Sequence, residues 1–106
     1  MKSILFFLLL IPLYVGAFDY QITDKSVWID VRTDKEYRAG HKKGAILIPF
    51  DEIAKGVSGL GVPLDTKIYL YCRSGGRAQK ALKTLNKIGY KAVANVGSLE
   101  NAMKAK

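Results

Sequence analysis

The chain holds one cysteine, in the run Tyr71-Cys72-Arg73-Ser74-Gly75-Gly76-Arg77. Those neighbours suit a nucleophilic thiolate. Two adjacent glycines let the backbone curl tightly, so that several N–H groups aim at one centre as in an anion-binding nest. A helix starting at Gly76 adds partial positive charge, and Arg73 and Arg77 add full charges. Each favours thiolate over thiol, so the pKa of Cys72 is expected well below the free value of about 8.5. The same donors could hold an anionic substrate against the sulfur. The bland alternative is a buried structural cysteine after a strand. Such a residue has no use for a curled loop and two guanidinium groups.

The loop needs elements to carry it. Val27-Trp28-Ile29 leads into Asp30, Ala45 to Ile48 ends at Pro49, Ile68 to Tyr71 leads into Cys72, and Ala92 to Val96 ends at Gly97. These runs are apolar on both faces, as in strands of a parallel sheet covered on two sides. Between them, Thr33 with Glu36 three residues later forms a capping-box pattern opening a short helix to about Ala39. A second short helix is expected over Asp51 to Lys55. The third and strongest spans Gly76 to Ile88, with Ala78, Ala81, Leu82, Leu85 and Ile88 on one stripe and Gly89 as its stop. Gly56 to Pro63, with three glycines and a proline, reads as an exposed loop. Alternating strands and helices predict an α/β domain with a central parallel sheet of four to five strands flanked by helices in three layers. Function then gathers where strands end and helices begin. Asp30 is placed at such an end, to accept hydrogen bonds from a loop arginine or nearby backbone, or simply to cap the strand.

The chain has 106 residues, 17 Lys plus Arg against 9 Asp plus Glu, and one His. That length fits one small domain. One Cys excludes an intramolecular disulfide, and with one His a four-ligand zinc site of the usual kind is excluded. Residues 1–17, MKSILFFLLLIPLYVGA, have Lys2 before an apolar run, then Pro12 and small residues at Val15, Gly16 and Ala17. This is the pattern of a signal peptide cleaved after Ala17, which assigns 18–106 to a single domain in the periplasm or outside the cell. An uncleaved anchor is the competing reading. The fifteen residues Ile4 to Phe18 would cover only about 22 Å of a hydrocarbon core about 30 Å thick. Cleavage leaves a formal charge of +7 and no stable membrane anchor. Phe18 to Lys25 is either a tail or an extra strand.

The region from 27 to 97 resembles the rhodanese family of sulfurtransferases, and its small single-domain periplasmic members in particular. The resemblance rests on Trp28-Ile29-Asp30-Val31-Arg32, Glu36-Tyr37, Gly40-His41, Gly44-Ala45, Ile48-Pro49, the run Tyr71 to Arg77, and Gly89-Tyr90 before the last strand. It implies a rhodanese-like domain in which Cys72 opens a six-residue active loop ending at Arg77. The thiolate would attack the outer sulfur of thiosulfate, release sulfite, and hand the sulfur from its persulfide to cyanide or a thiol. Arg73, Ser74, Gly75, Gly76 and Arg77 would bind the donor, with Asp30 and Arg32 behind them. No metal or organic cofactor is required. Phosphatase relatives carry a loop one residue longer, and the smaller ring here suits a sulfur atom. The chain departs from the family in lacking the tryptophan often seen after the last strand.

Two other classes stay open: a persulfide carrier or redox module serving a protein partner with little small-molecule turnover, and an interaction domain with a protected thiol. A monomer is expected. Nucleic acid is not expected as a partner, since no aromatic platform accompanies the lysines. Lys80, Lys83 and Lys87, with Lys42 and Lys43, read as a solvated face that concentrates small anions. Arg32 and Glu36, four apart around a turn, are expected to pair. His41 is expected to make a structural hydrogen bond, and Trp28, Tyr69 and Tyr71 to fill the sheet core.

Overall fold

The computed structural model describes residues 26–105, so the signal-peptide assignment for 1–17 and the tail or strand at 18–25 lie outside the described residues. Strand β1 (Val27–Asp30) leads through Thr33 into helix α1 (Asp34–Ala39), and β2 (Ile46–Leu47) follows. A 3-10 turn (Phe50–Glu52) runs into α2 (Ile53–Leu60), then come β3 (Ile68–Cys72), α3 (Gly76–Lys87), β4 (Val93–Ser98) and α4 (Leu99–Lys104). The four strands are all parallel, in the order β2-β1-β3-β4. This is the α/β sheet that the strand and helix patterns predict, with four strands among the described residues. Among the described residues no helix is long and apolar enough to cross a membrane.

Burial on both faces explains why the strand runs are continuously apolar. Ile29, Val31, Ile68, Leu70 and Cys72 pack with Ile53 and Val57 of α2 and Ala78, Ala81 and Leu85 of α3. Tyr71 and Ala45 pack on the opposite side with Ala102 of α4, flanked by Trp28, Val96 and Leu99. Tyr71 is fully buried. Trp28 and Tyr69 are half-buried and stack with ring centroids 4.7 Å apart. The apolar stripe of α3 holds as far as Leu85, but Ile88 lies past the helix end and is exposed.

Two local patterns came out differently from each other. The capping box at α1 forms: the Glu36 amide donates to Thr33 Oγ1 at 3.2 Å, and the Thr33 amide to Glu36 Oε1 at 2.9 Å. The loop expected over 56–63 is instead helical as far as Leu60, where Gly61 adopts φ +68° and ends it. Glycine costs about 1 kcal/mol in a helix interior, which is why the sequence pattern argues against one here. Burial of Ile53 and Val57 overrides that cost. A Cβ at Gly56 would stand 2.4 Å from Ile48 Cγ2, so this glycine serves close packing of α2 on the segment after β2.

The carboxyl end of β1 is tied by a buried ion pair. Arg32 donates from Nε to Asp30 Oδ1 at 2.8 Å and from Nη2 to Oδ2 at 2.6 Å, and its backbone amide reaches Oδ1 at 3.0 Å. Nη2 also donates to the Gly40 carbonyl at 2.7 Å, which fastens the end of α1. Both residues are buried. The pair expected between Arg32 and Glu36 does not form, because β1 turns Arg32 back onto Asp30 and α1 points Glu36 elsewhere.

Two stability outcomes follow from this packing. Gly56→Ala is expected to destabilise the domain by about 1–3 kcal/mol through overpacking against Ile48, read as a lower urea midpoint at unchanged slope. Arg32→Ala leaves the Asp30 carboxylate buried without its partner and is expected to cost about 3–5 kcal/mol in the same titration.

Candidate active site

Strand β3 delivers Cys72 to the carboxyl edge of the sheet as its last residue, with Arg73, Ser74 and Gly75 between it and α3. Gly75 adopts φ +104°, a backbone state that favours glycine, and this turns its amide back onto the strand end. That amide donates to Cys72 Sγ at 3.0 Å. Arg73 and Ser74 are exposed, whereas Cys72 itself is 1% exposed. The sulfur therefore lies at the floor of the loop, between the apolar core and the first turn of α3.

Its charge state is a contest. Burial pushes the Cys72 thiol up, and the amides of Ala78, Gly75, Ser74 and Arg77 pull it down; the net direction is below the ordinary value. Four inward-facing amides thus overcome the desolvation of a buried thiolate.

The two loop arginines have different fates. Arg73 points to solvent with no ion-pair partner among the described residues. Arg77 forks onto Glu36, with Nη1 to Oε1 at 2.9 Å and Nη2 to Oε2 at 3.1 Å. Residues 41 apart in sequence are joined this way, so the capping carboxylate of α1 also holds the active loop. Hydrogen bonds from Arg77 above all, then from Thr33, hold the Glu36 carboxyl down at about 2. The bond to Arg77 is thus ionic across the whole neutral range.

Asp30 and Arg32 stand behind the loop. Asp30 pairs in register with Tyr71, and the Arg32 guanidinium lies 5.5 Å from the centre of the Tyr71 ring. Of the alternatives for Asp30, it takes nearby backbone and Arg32, not a loop arginine. Burial pushes the Tyr71 phenol up to about 12, and its oxygen accepts from the Lys42 amide at 3.0 Å. His41 Nδ1 lies 2.9 Å from the Tyr37 carbonyl, and its ring stacks on Tyr37 at 3.6 Å. The hydrogen bond expected of the histidine thus forms, to a backbone carbonyl. A cavity of about 290 Å³ opens beside the loop, bounded by Val31 to Asp34, Pro49 to Glu52, and Arg77.

Two contributors escape a sequence reading. Glu36 is legible as a helix cap, but not as the partner of Arg77. Asn95 reads only as a strand residue. Between Leu70 and Tyr71 the pairing with β4 slips, so that Leu70 faces Asn95 and Tyr71 faces Gly97. At this bulge Asn95 Nδ2 donates to the Gly75 carbonyl at 2.9 Å, and its Oδ1 accepts from the Gly97 amide at 2.9 Å. Asn95 so holds the Gly75–Gly76 peptide, the one next to the peptide whose amide faces the sulfur.

The comparisons agree with this architecture. The family model for the rhodanese-like domain matches residues 17–105. The Bacillus subtilis protein YrkF, whose name describes a sulfur carrier, is 38% identical over 64% of this chain and 36% of its own length. An adenylyltransferase and sulfurtransferase, uba4 of Ogataea parapolymorpha, is 31% identical over 78% of this chain and 25% of its own. The chain thus spans only about a quarter to a third of these curated relatives. Among solved structures, a rhodanese with anions from E. coli aligns with a TM-score of 0.69 at 31% identity, covering 73% of this chain and 91% of that one. With its parallel sheet, its cysteine at a strand end and a family match across the whole described region, the chain belongs to the rhodanese-like domain family.

Proposed function

We propose that the chain is a thiosulfate sulfurtransferase in which Cys72 carries the sulfur. The observation that carries this reading is the Gly75 amide on Cys72 Sγ at 3.0 Å, together with the other inward amides that lower the thiol pKa. The thiolate attacks the outer sulfur of thiosulfate, the sulfur–sulfur bond of the donor breaks, and sulfite departs with the bonding pair. The persulfide left on Cys72 bears its negative charge on the terminal sulfur, within reach of the same amides. Cyanide attacks that sulfur, leaves as thiocyanate, and returns the Cys72 thiolate; a thiol acceptor leaves as a persulfide instead. Preorganised donors of this kind each contribute about 10²–10³ in rate. Arg73 and the loop amides meet the donor's oxyanion end, and the step uses neither metal nor organic cofactor. The apolar residues 1–17 support export to the periplasm or beyond, and the net positive charge supports capture of small anions.

The burial of Cys72 favours one second reading, a persulfide carrier for a protein partner. A terminal sulfur at the floor of the loop is shielded from water, which suits storage. The similarity to a protein named as a sulfur carrier supports the same reading. Turnover separates the two.

Protein lacking residues 1–17, incubated with thiosulfate and cyanide, is expected to release thiocyanate over many cycles, and Cys72→Ser to abolish it. One sulfur gained per chain without continued turnover would favour the carrier; turnover in the serine variant would refute both. The thiolate's ultraviolet absorbance, measured against Cys72→Ser, is expected to titrate below the free-cysteine value of about 8.5. A midpoint above that value would mean that burial outweighs the amides.

A further inference from the structure

The sequence places two arginines at the loop for a sulfur donor, yet the geometry pairs one of them with a carboxylate. Both terminal nitrogens of Arg77 are engaged by the two oxygens of Glu36. Glu36 is held from its other side as well, with Oε1 accepting from the Thr33 amide at 2.9 Å and the Thr33 hydroxyl at 3.1 Å. The helix cap thus orients the carboxylate toward the arginine. Side chains of both residues are about three-quarters buried, at 28% and 23% exposed, so the pair is only partly screened by water.

The other charged groups around Arg77 are already balanced or belong to the cavity wall. Arg32 is spent on Asp30, and Asp34 on Arg38. Asp51 and Glu52 line the same cavity as Arg77, and Lys80 lies 5.8 Å from the Phe50 ring centre at its margin. None of these groups replaces Glu36 as the partner of the guanidinium.

We propose that Glu36 is a specificity-determining positioning residue: by forking onto Arg77 it withdraws that charge from the donor site and makes the arginine a strut between α1 and the loop. The anionic end of the donor is then met by Arg73 and the amides alone. A less cationic site binds thiosulfate less tightly, and it also lets the sulfite product leave. This inference rests on the sulfurtransferase reading for its kinetic consequences but not for its electrostatic one.

The experiment compares the wild type with Glu36→Gln and with Glu36→Gln combined with Arg77→Gln. Glu36→Gln leaves the charge of Arg77 uncompensated beside the sulfur. It is expected to move the thiolate absorbance titration to lower pH, to lower KM for thiosulfate about threefold to tenfold, and to strengthen sulfite inhibition by a similar factor. Adding Arg77→Gln is expected to reverse the titration shift and the KM gain. A Glu36→Gln protein with a native thermal melt whose KM rises or stays put would overturn the proposal, because Arg77 would then already serve the donor through its pairing with Glu36. Should the glutamine variant not fold, Glu36→Ala, which likewise removes the compensating charge, is expected to shift both readouts in the same direction, and its failure to do so is equally decisive. If the wild type transfers no sulfur, the sulfurtransferase reading falls, and the titration alone still tests the charge assignment.

Discussion

A buried sulfur whose pKa is drawn down by backbone amides is the constraint around which this small domain is arranged. Burial alone would keep Cys72 protonated and inert. At the β3–α3 junction the amides of Ala78, Gly75, Ser74 and Arg77 oppose that effect and draw the thiol below its ordinary value. Those donors need no side chains, cannot titrate, and are set in place by the start of a helix whose other end is packed on the sheet. The price of the geometry is one residue in a left-handed conformation, and Gly75 supplies it.

A loop built this way must be held from outside, because two adjacent glycines give it little stiffness of its own. Two ties do so, from two separate elements. The α1 cap reaches it through Glu36 and Arg77. The β4 bulge reaches it through Asn95 and the Gly75 carbonyl. Behind it, the Asp30–Arg32 pair locks the end of β1 beside Tyr71 and reaches the Gly40 carbonyl. In this buried pair both oxygens of Asp30 accept from the arginine, which is the condition under which such a pair is tolerated in a core. The ties also distribute charge. A chain with a formal net charge of +8 presents its loop with one arginine neutralised and one exposed.

Much of the fold was legible because it is written in local patterns. The four apolar runs became the four strands, the Thr33–Glu36 spacing became a capping box, and the stripe from Ala78 to Leu85 became the buried face of α3. The segment after Lys55 was misleading for a physical reason. Glycine lowers helix propensity wherever it stands, yet at Gly56 the absence of a side chain is what lets the helix sit on Ile48. Propensity registers the cost and is blind to the contact.

The sequence by itself determined that one cysteine stands at a strand end before a glycine-rich turn and a helix, since strand pattern, turn chemistry and helix start are each set by near neighbours. Only the tertiary structure decided which charges meet. Arg32 turned to Asp30, and Glu36 to an arginine 41 residues away. Asn95 found the Gly75 carbonyl through a slipped register in β4. Ionic and polar partners are chosen by proximity at the shared edge of a parallel sheet. That edge exists only once strands distant in the chain lie side by side.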